Sequence, residues 1–177
     1  MERWDQLYTG GYRFCFGDGA FKPSTDTFLL GGFAQVRRGE RVCDLGAGIG
    51  LPGLLLLSRE PEVHITDIDI DETACALARR SAEANGLTER IRIIQADLRR
   101  REQLPPGGSF DVCVANPPYF PPHTGRVAEG SRGGVRLSFC TKRSSFGSSL
   151  WRRRMSVSSA VRSARWMRYS RPPLRSR

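Results

Sequence analysis

Residues 42–53, VCDLGAGIGLPG, join an apolar segment to an apolar helix through a glycine-rich turn. The pattern predicts a strand over residues 41–45 and a helix over residues 51–58, whose first turn tolerates Pro52. Glycines in such a turn let the backbone pass close beneath a ligand and expose the N–H groups of the helix N-terminus. The stretch therefore predicts a ligand-binding strand–turn–helix unit, the alternative being a glycine-rich turn without a ligand.

Downstream of this unit, strand and helix patterns alternate. A helix is predicted to begin after the N-cap Asp71 and to end near Gly86. Three further strands are predicted, over residues 63–68, 91–95 and 110–115. Strand–helix–strand alternation with short connections predicts an α/β fold with a doubly wound, mainly parallel sheet.

Upstream of the unit, residues 12–22 alternate aromatic and polar side chains around Gly17-Asp18-Gly19 and predict a short β-hairpin turning there. Residues 25–33 predict a short helix that is capped by Ser24 or Thr25. We therefore expect the sheet to be preceded by one hairpin and one helix.

Charge divides the chain into two parts. Residues 131–177 contain 13 Lys or Arg, 12 Ser and no Asp or Glu, whereas residues 1–130 contain 15 basic and 18 acidic residues. The net charge of +10 therefore comes from the tail. We expect residues 1–130 to form a partial catalytic domain and residues 131–177 to be a Ser/Arg-rich tail that is disordered or non-native.

The cysteines and the apolar segments indicate the compartment. The five cysteines include no C-x-x-C pair and lie far apart, so a reduced cytoplasmic protein without a structural metal is expected. The first residues carry no apolar signal region, and the run LLLL at 54–57 is too short to cross a bilayer. No membrane association is expected.

Two families of cofactor site compete for the glycine turn. Gly-x-Gly-x-x-Gly over residues 48–53, with Asp67 or Asp69 downstream, matches the fingerprint of nicotinamide-dependent oxidoreductases. Asp-x-Gly-x-Gly-x-Gly, beginning at Asp44, resembles the first motif of class I S-adenosylmethionine-dependent methyltransferases.

Acidic residues at two later strand ends favour the methyltransferase. Asp69 ends the second strand, where its carboxylate can accept both ribose hydroxyls of an adenosine, and Asp97 follows the third, where it can accept from the adenine amino group. For Asp67 and Asp71, a solvated acid and a helix cap are the expected roles. Asp69 and Asp97 are therefore predicted cofactor ligands.

The fourth strand ends in ANPPYF, residues 115–120. Asn-Pro-Pro-Tyr is similar to the motif of methyltransferases that modify a planar exocyclic nitrogen, either adenine in nucleic acids or a glutamine side chain. The lone pair of such an amine is delocalised, so acceptors from Asn116 and the Pro117 carbonyl would hold its protons and turn the lone pair toward the methyl donor. Pro118 stiffens the turn, and Tyr119 can stack on the target plane. These four residues are the predicted catalytic set.

Over residues 11–126 the sequence resembles the bacterial tRNA adenine-N6-methyltransferase family that acts on valine tRNA. The resemblance rests on YRFCFGDGAFKPSTDTFLLGGF, DLGAGIG, NPPYF and PPHTGR. It implies a Rossmann-like fold, S-adenosylmethionine as cofactor, RNA (specifically tRNA) as partner, and transfer of a methyl group to N6 of adenine. The cofactor residues that it implies are Asp44, Gly46, Gly48, Gly50, Asp69 and Asp97, with Thr25 and Asp26 lining the pocket.

Three other functions stay open at the level of sequence. A glutamine-N5 methyltransferase shares both central motifs, but usually carries a helical domain ahead of them, for which only about forty residues are present here. An oxidoreductase leaves NPPY unexplained, and a non-catalytic RNA-binding protein would use the basic tail. Because the resemblance stops near Glu129, in mid-domain, we interpret the tail as a frame-shift product that weakens or abolishes activity.

Overall fold

The computed structural model of the chain describes residues 1–17, 25–116 and, for the backbone, 139–142. The predicted turn at 17–19, the helix cap Ser24, and Pro117, Pro118 and Tyr119 of the predicted catalytic set lie wholly or partly outside these residues. Within them the helices are α1 (Thr25–Phe33), α2 (Leu51–Arg59) and α3 (Glu72–Ala84). The strands are β1 (Glu2–Gln6), β2 (Arg13–Gly17), β3 (Arg41–Leu45), β4 (His64–Asp69), β5 (Ile91–Gln95), β6 (Val112–Ala115) and β7 (Phe139–Lys142).

A five-stranded sheet has the order β5-β4-β3-β6-β7. Its first four strands are parallel, with Asp44 opposite Asp67 and Leu45 opposite Ala115. All four therefore end at the same edge, where ligands bind in open α/β sheets. The predicted mainly parallel sheet is confirmed, and each predicted strand lies within two residues of the observed one.

The tail contributes one short strand to this sheet. β7 pairs antiparallel with β6, with Ala115 opposite Phe139. These four residues lie within the predicted Ser/Arg-rich tail. A free edge of β6 would leave backbone N–H and C=O groups unpaired. The backbone of any extended segment can pair with them, so residues 139–142 need no strong strand pattern in their sequence.

The N-terminal hairpin is confirmed, but its position differs from the prediction. β1 pairs antiparallel with β2, so the turn of this hairpin lies over residues 7–12. Gly10 has φ of 79°, and the Leu7 N–H donates to the Tyr12 carbonyl. The turn signal Thr9-Gly10-Gly11 decided the pairing, because a positive φ costs glycine least.

The hairpin is attached to α3 through the free edge of β2. The N–H of Cys15 donates to the Ser81 hydroxyl, and the Asn85 side chain both accepts from the Arg13 N–H and donates to its carbonyl. Asp71 caps the other end of α3 by accepting from the N–H groups of residues 73 and 74, which confirms its predicted role. The side chains of Ser81 in α3 and of Asn85 at its C-terminus thus take the place of a neighbouring strand.

The two faces of the sheet pack against different partners. On one face, Val42, Ile65 and Val112 join side chains of α1, α2 and α3 in a buried apolar cluster. On the other face, Cys43 and Leu45 pack with Phe110 and the segment that leads to β6. In the part of the chain that the structure describes, no helix is long and apolar enough to cross a membrane.

Candidate functional site

The glycine turn between β3 and α2 is shaped by left-handed backbone. Gly46, Gly48 and Gly50 have φ of 72°, 57° and 76°, a region that costs residues with a Cβ atom. A Cβ added at Gly46 or Gly48 would meet no atom within 4 Å. The turn therefore presents open backbone at these two positions, which a ligand could approach closely.

Asp69, at the carboxyl end of β4, holds this turn in place. Its Oδ2 accepts from the Gly48 N–H at 2.7 Å, and its Oδ1 accepts from the Asp71 N–H at 2.9 Å. The backbone carbonyl of Ile68 also accepts from the Gly46 N–H at 2.8 Å. The structure thus joins Asp69 and the glycine turn, two features that the sequence placed in one cofactor site.

Asp97 follows β5 in a tight turn and is partly exposed. The Arg99 guanidinium donates to both of its carboxylate oxygens, at distances of 2.6 to 2.9 Å. This pairing, together with a bond from the Arg99 N–H, lowers the pKa of Asp97 to about 2. Asp97 therefore stays ionised at any physiological pH and can accept a further hydrogen bond.

Asp44 is buried beneath the turn together with Asp67. Asp44 is 1% exposed and Asp67 is 2% exposed, and both point to the face of the sheet that α2 covers. Burial raises the pKa of Asp44 well above its usual value, and the charges of Asp67 and Asp69 raise it further. The expectation that Asp67 is a solvated acid is wrong, because it alternates with Ile65 on the covered face.

Asn116 lies at the carboxyl end of β6, directly after Ala115. Because Ala115 is opposite Leu45, Asn116 and Gly46 directly follow the last paired residues of two neighbouring strands. The Asn116 Nδ2 donates to the Thr27 Oγ1 at 2.9 Å, which connects this strand end to α1. The same amide supplies the oxygen that could accept a proton from a substrate amine.

The first turn of α1 contributes one residue that the sequence analysis missed. Thr25 is exposed and Asp26 is half-buried, whereas Thr27 is buried and contacts Asn116. A Cβ at Gly31 would lie 2.6 Å from the Leu55 Cβ, so α1 packs tightly on α2. Thr27 lies three residues before Leu30, so the two share one face of the helix. This spacing from an apolar residue was the available signal that Thr27 faces inward.

A pocket of about 590 Å³ lies at the opposite end of the sheet. Its lining includes Arg41, His64 and Ile91, which begin β3, β4 and β5. It is therefore separate from the strand ends that carry Asp69, Asp97 and Asn116.

A family model described as methyltransferase small domain matches residues 16–130. The chain belongs to this family. The match contains the glycine turn, Asp69, Asp97 and the NPPY motif, and it confirms the predicted methyltransferase family and Rossmann-like fold.

Two curated relatives carry the name tRNA1(Val) (adenine(37)-N6)-methyltransferase. The protein from Aeromonas hydrophila is 37% identical over 102 residues, which are 57% of this chain and 42% of the relative. The protein from Pasteurella multocida is 38% identical over 107 residues, which are 58% of this chain and 43% of the relative. The chain thus spans less than half the length of these relatives.

A solved structure described as the delta-N METTL16 MTase domain shares the fold. It superposes with a TM-score of 0.51 at 18% identity, covering 63% of this chain and 54% of that one. At this identity the similarity concerns the fold alone.

Proposed function

We propose that this small-domain methyltransferase binds S-adenosylmethionine at the carboxyl ends of β3, β4 and β5. Asp69 and the open backbone at Gly46 and Gly48 would hold the ribose and the amino-acid part, and Asp97 would accept from the adenine amino group. Gly50 and Asp44 would shape the turn from below, and Thr25 and Asp26 would line the pocket, as the sequence predicts. The open space beside two left-handed glycines fits a ligand that lies close against the backbone of the turn.

The proposed reaction is methyl transfer to the N6 amine of an adenine in tRNA. The bound cofactor would supply an electrophilic methyl group, and the chain's own residues would present the amine. The observation that carries this proposal is the position of Asn116, which leaves β6 level with Gly46 and is tied to Thr27. An amide acceptor beside the cofactor turn can hold an amino proton and orient the lone pair.

The rest of the predicted catalytic set would act around the same amine. The Pro117 carbonyl would accept its second proton, Pro118 would restrict the backbone, and Tyr119 would stack on the base. No strong general base is needed, because the amine loses its proton after the nitrogen has become cationic. Adenine in tRNA is favoured over a glutamine side chain by the curated relatives, and it implies a cytoplasmic enzyme.

Titration calorimetry with S-adenosylmethionine tests the cofactor, and methyl transfer to unmodified valine tRNA tests the substrate. We expect binding by the folded chain, and transfer that is lost in Asn116→Ala while cofactor binding is kept. Folded protein without cofactor binding would overturn the first proposal. Methylation of a glutamine peptide in place of tRNA would overturn the second.

A non-catalytic RNA-binding protein is the competing function, because the tail includes Arg152, Arg153 and Arg154. Replacing these three with Gln leaves β7 in place, which deletion of residues 131–177 would not. Under the proposed function, cofactor binding is unchanged in this variant. RNA binding that depends wholly on these arginines, without cofactor binding by the parent chain, would favour the competing function.

A further inference from the structure

We propose that Asp67 is a positioning residue of the cofactor turn, whose buried carboxylate supports Gly50 and Gly53 and shares a proton with Asp44. Its effect on the cofactor rests on the proposed function, whereas its effect on the fold does not. From the sequence, Asp67 was expected to be a solvated acid, or a ribose ligand in the alternative oxidoreductase.

The contacts with α2 show where the carboxylate lies. The Oδ2 of Asp67 is 2.7 Å from the position of a Cβ at Gly50, and its Oδ1 is 3.1 Å from that of a Cβ at Gly53. Both distances are too short for a methyl group to enter without movement. The start of α2 therefore packs directly on this carboxylate, and at Gly53 it also packs on the Ile65 Cγ2, which would lie 2.9 Å from a Cβ there.

The pairing of β3 with β4 explains the shared proton. Asp44 and Asp67 are register partners, so their side chains project from adjacent strands to the same covered face. All four of their carboxylate oxygens are buried, and none has a hydrogen-bond partner in the described part of the chain. Two buried carboxylates without partners cannot both be ionised at small cost, but one proton lets one of them donate to the other.

The groups around the pair do not offset its charge. Asp69 of β4 adds a negative charge, and the thiols of Cys43, Cys75 and Cys113 are the other titratable groups that interact with the two acids. In α2 the one charged side chain is that of Arg59 in the last turn, and its guanidinium donates to the carbonyls of Gly31 and Ala34. Burial and the charge of Asp69 raise the pKa of Asp67 to about 7. Loss of the Asp67 proton near neutral pH would thus put its negative charge beside that of Asp69 beneath the turn.

The sign of the effect on stability follows from this raised value. An acid whose pKa is higher in the folded than in the unfolded chain favours the fold most at low pH, and this contribution is lost as the pH rises from the unfolded value through the folded value. Asp67→Asn keeps the shape of the side chain, can donate to Asp44 and does not titrate. We expect this variant to lose the pH dependence that Asp67 contributes.

The first experiment measures unfolding in urea at pH 5.5 and pH 8.5 for the parent chain, Asp67→Asn and the control Asp5→Asn, which changes an exposed hairpin acid. The unfolding constant of the parent should rise at least about tenfold more over this range than that of Asp67→Asn. Asp5→Asn should follow the parent. Equal pH profiles for the parent and Asp67→Asn would overturn the shared proton.

The second experiment combines Gly50→Ala with Asp67→Ala and measures both unfolding and the binding of S-adenosylhomocysteine. The left-handed φ at Gly50 strains alanine in either background, so this cost cancels in the comparison. Gly50→Ala should destabilise the parent at least about fivefold more than it destabilises Asp67→Ala. Equal effects would overturn the positioning role.

The ligand measurement separates this inference from the proposed function. A parent chain that binds no S-adenosylhomocysteine contradicts the proposed function, while the unfolding data still decide the role of Asp67. If the parent binds, its affinity should fall above pH 7 and that of Asp67→Asn should not. Identical pH profiles of binding would show that Asp67 does not position the cofactor turn.

Discussion

The side-chain nitrogen of Asn116 lies 2.9 Å from the hydroxyl oxygen of Thr27. This hydrogen bond connects residues 89 positions apart in the chain and joins the end of β6 to the first turn of α1. It orients the amide at the start of the NPPY motif. The predicted acceptor for a substrate amine thus depends on a helix that precedes the cofactor turn.

Replacing Thr27 with Val removes the hydroxyl at nearly constant volume. We expect a loss of about 1 kcal/mol in unfolding free energy, because the half-buried Asn116 amide loses this hydrogen bond. The rate of methyl transfer should fall by a larger factor than the affinity for the cofactor, because the Asn116 amide also loses its orientation. Thr27→Ser should restore both quantities, and Thr88→Val, on an exposed loop, is the control. An unchanged rate of methyl transfer in Thr27→Val would show that the hydrogen bond from Asn116 to Thr27 does not orient the amide for the reaction.

Asp69 is expected to be the cofactor ligand whose loss is most costly. Asp69→Ala removes the acceptor of the Gly48 N–H as well as the predicted acceptor of the ribose hydroxyls. Affinity for S-adenosylmethionine, measured by calorimetry, should fall at least about tenfold, which corresponds to one charged hydrogen bond. Asp71→Asn is a control two residues away, because Asn caps a helix about as well as Asp. Equal affinities of Asp69→Ala and the parent would exclude Asp69 from the site.

Glycine substitutions can separate backbone strain from ligand access. Gly39 and Gly48 have φ of 77° and 57°, and a Cβ would meet no neighbouring atom at either position. Alanine at each should therefore cost about 1 kcal/mol in unfolding free energy through the left-handed backbone. Only Gly48→Ala should also weaken cofactor binding, because only its Cβ would enter the proposed site. Similar affinities of the two variants would place the ligand elsewhere.

The Arg99 guanidinium is expected to make cofactor binding resistant to acid. It helps to lower the pKa of Asp97 to about 2, so the carboxylate of the parent chain remains ionised between pH 6 and pH 4. In Arg99→Gln that pKa should return toward the ordinary value of aspartate, and the carboxylate should begin to protonate near pH 4. Calorimetry should then show a loss of affinity toward pH 4 in the variant relative to the parent. A parallel decline in both proteins would contradict a role for ionised Asp97.

Local sequence determined most of the fold. Glycines 46, 48 and 50 predicted the turn, because glycine adopts left-handed backbone at the least cost. All three have that conformation in the structure. The four parallel strands followed from short apolar runs separated by helix patterns, and Asp71 indicated the start of α3. These features depend on neighbours within a few positions, which a sequence displays directly.

Tertiary structure decided which polar groups meet. Asp67 looked like a solvated acid in an acidic run, but strand alternation and the cover of α2 bury it beside Asp44. Thr27 was overlooked because its partner Asn116 is distant in sequence, and the hairpin moved to residues 2–17 because β2 pairs with the preceding strand. Burial and pairing depend on which distant segments pack together, and a pattern of neighbouring residues does not contain that information.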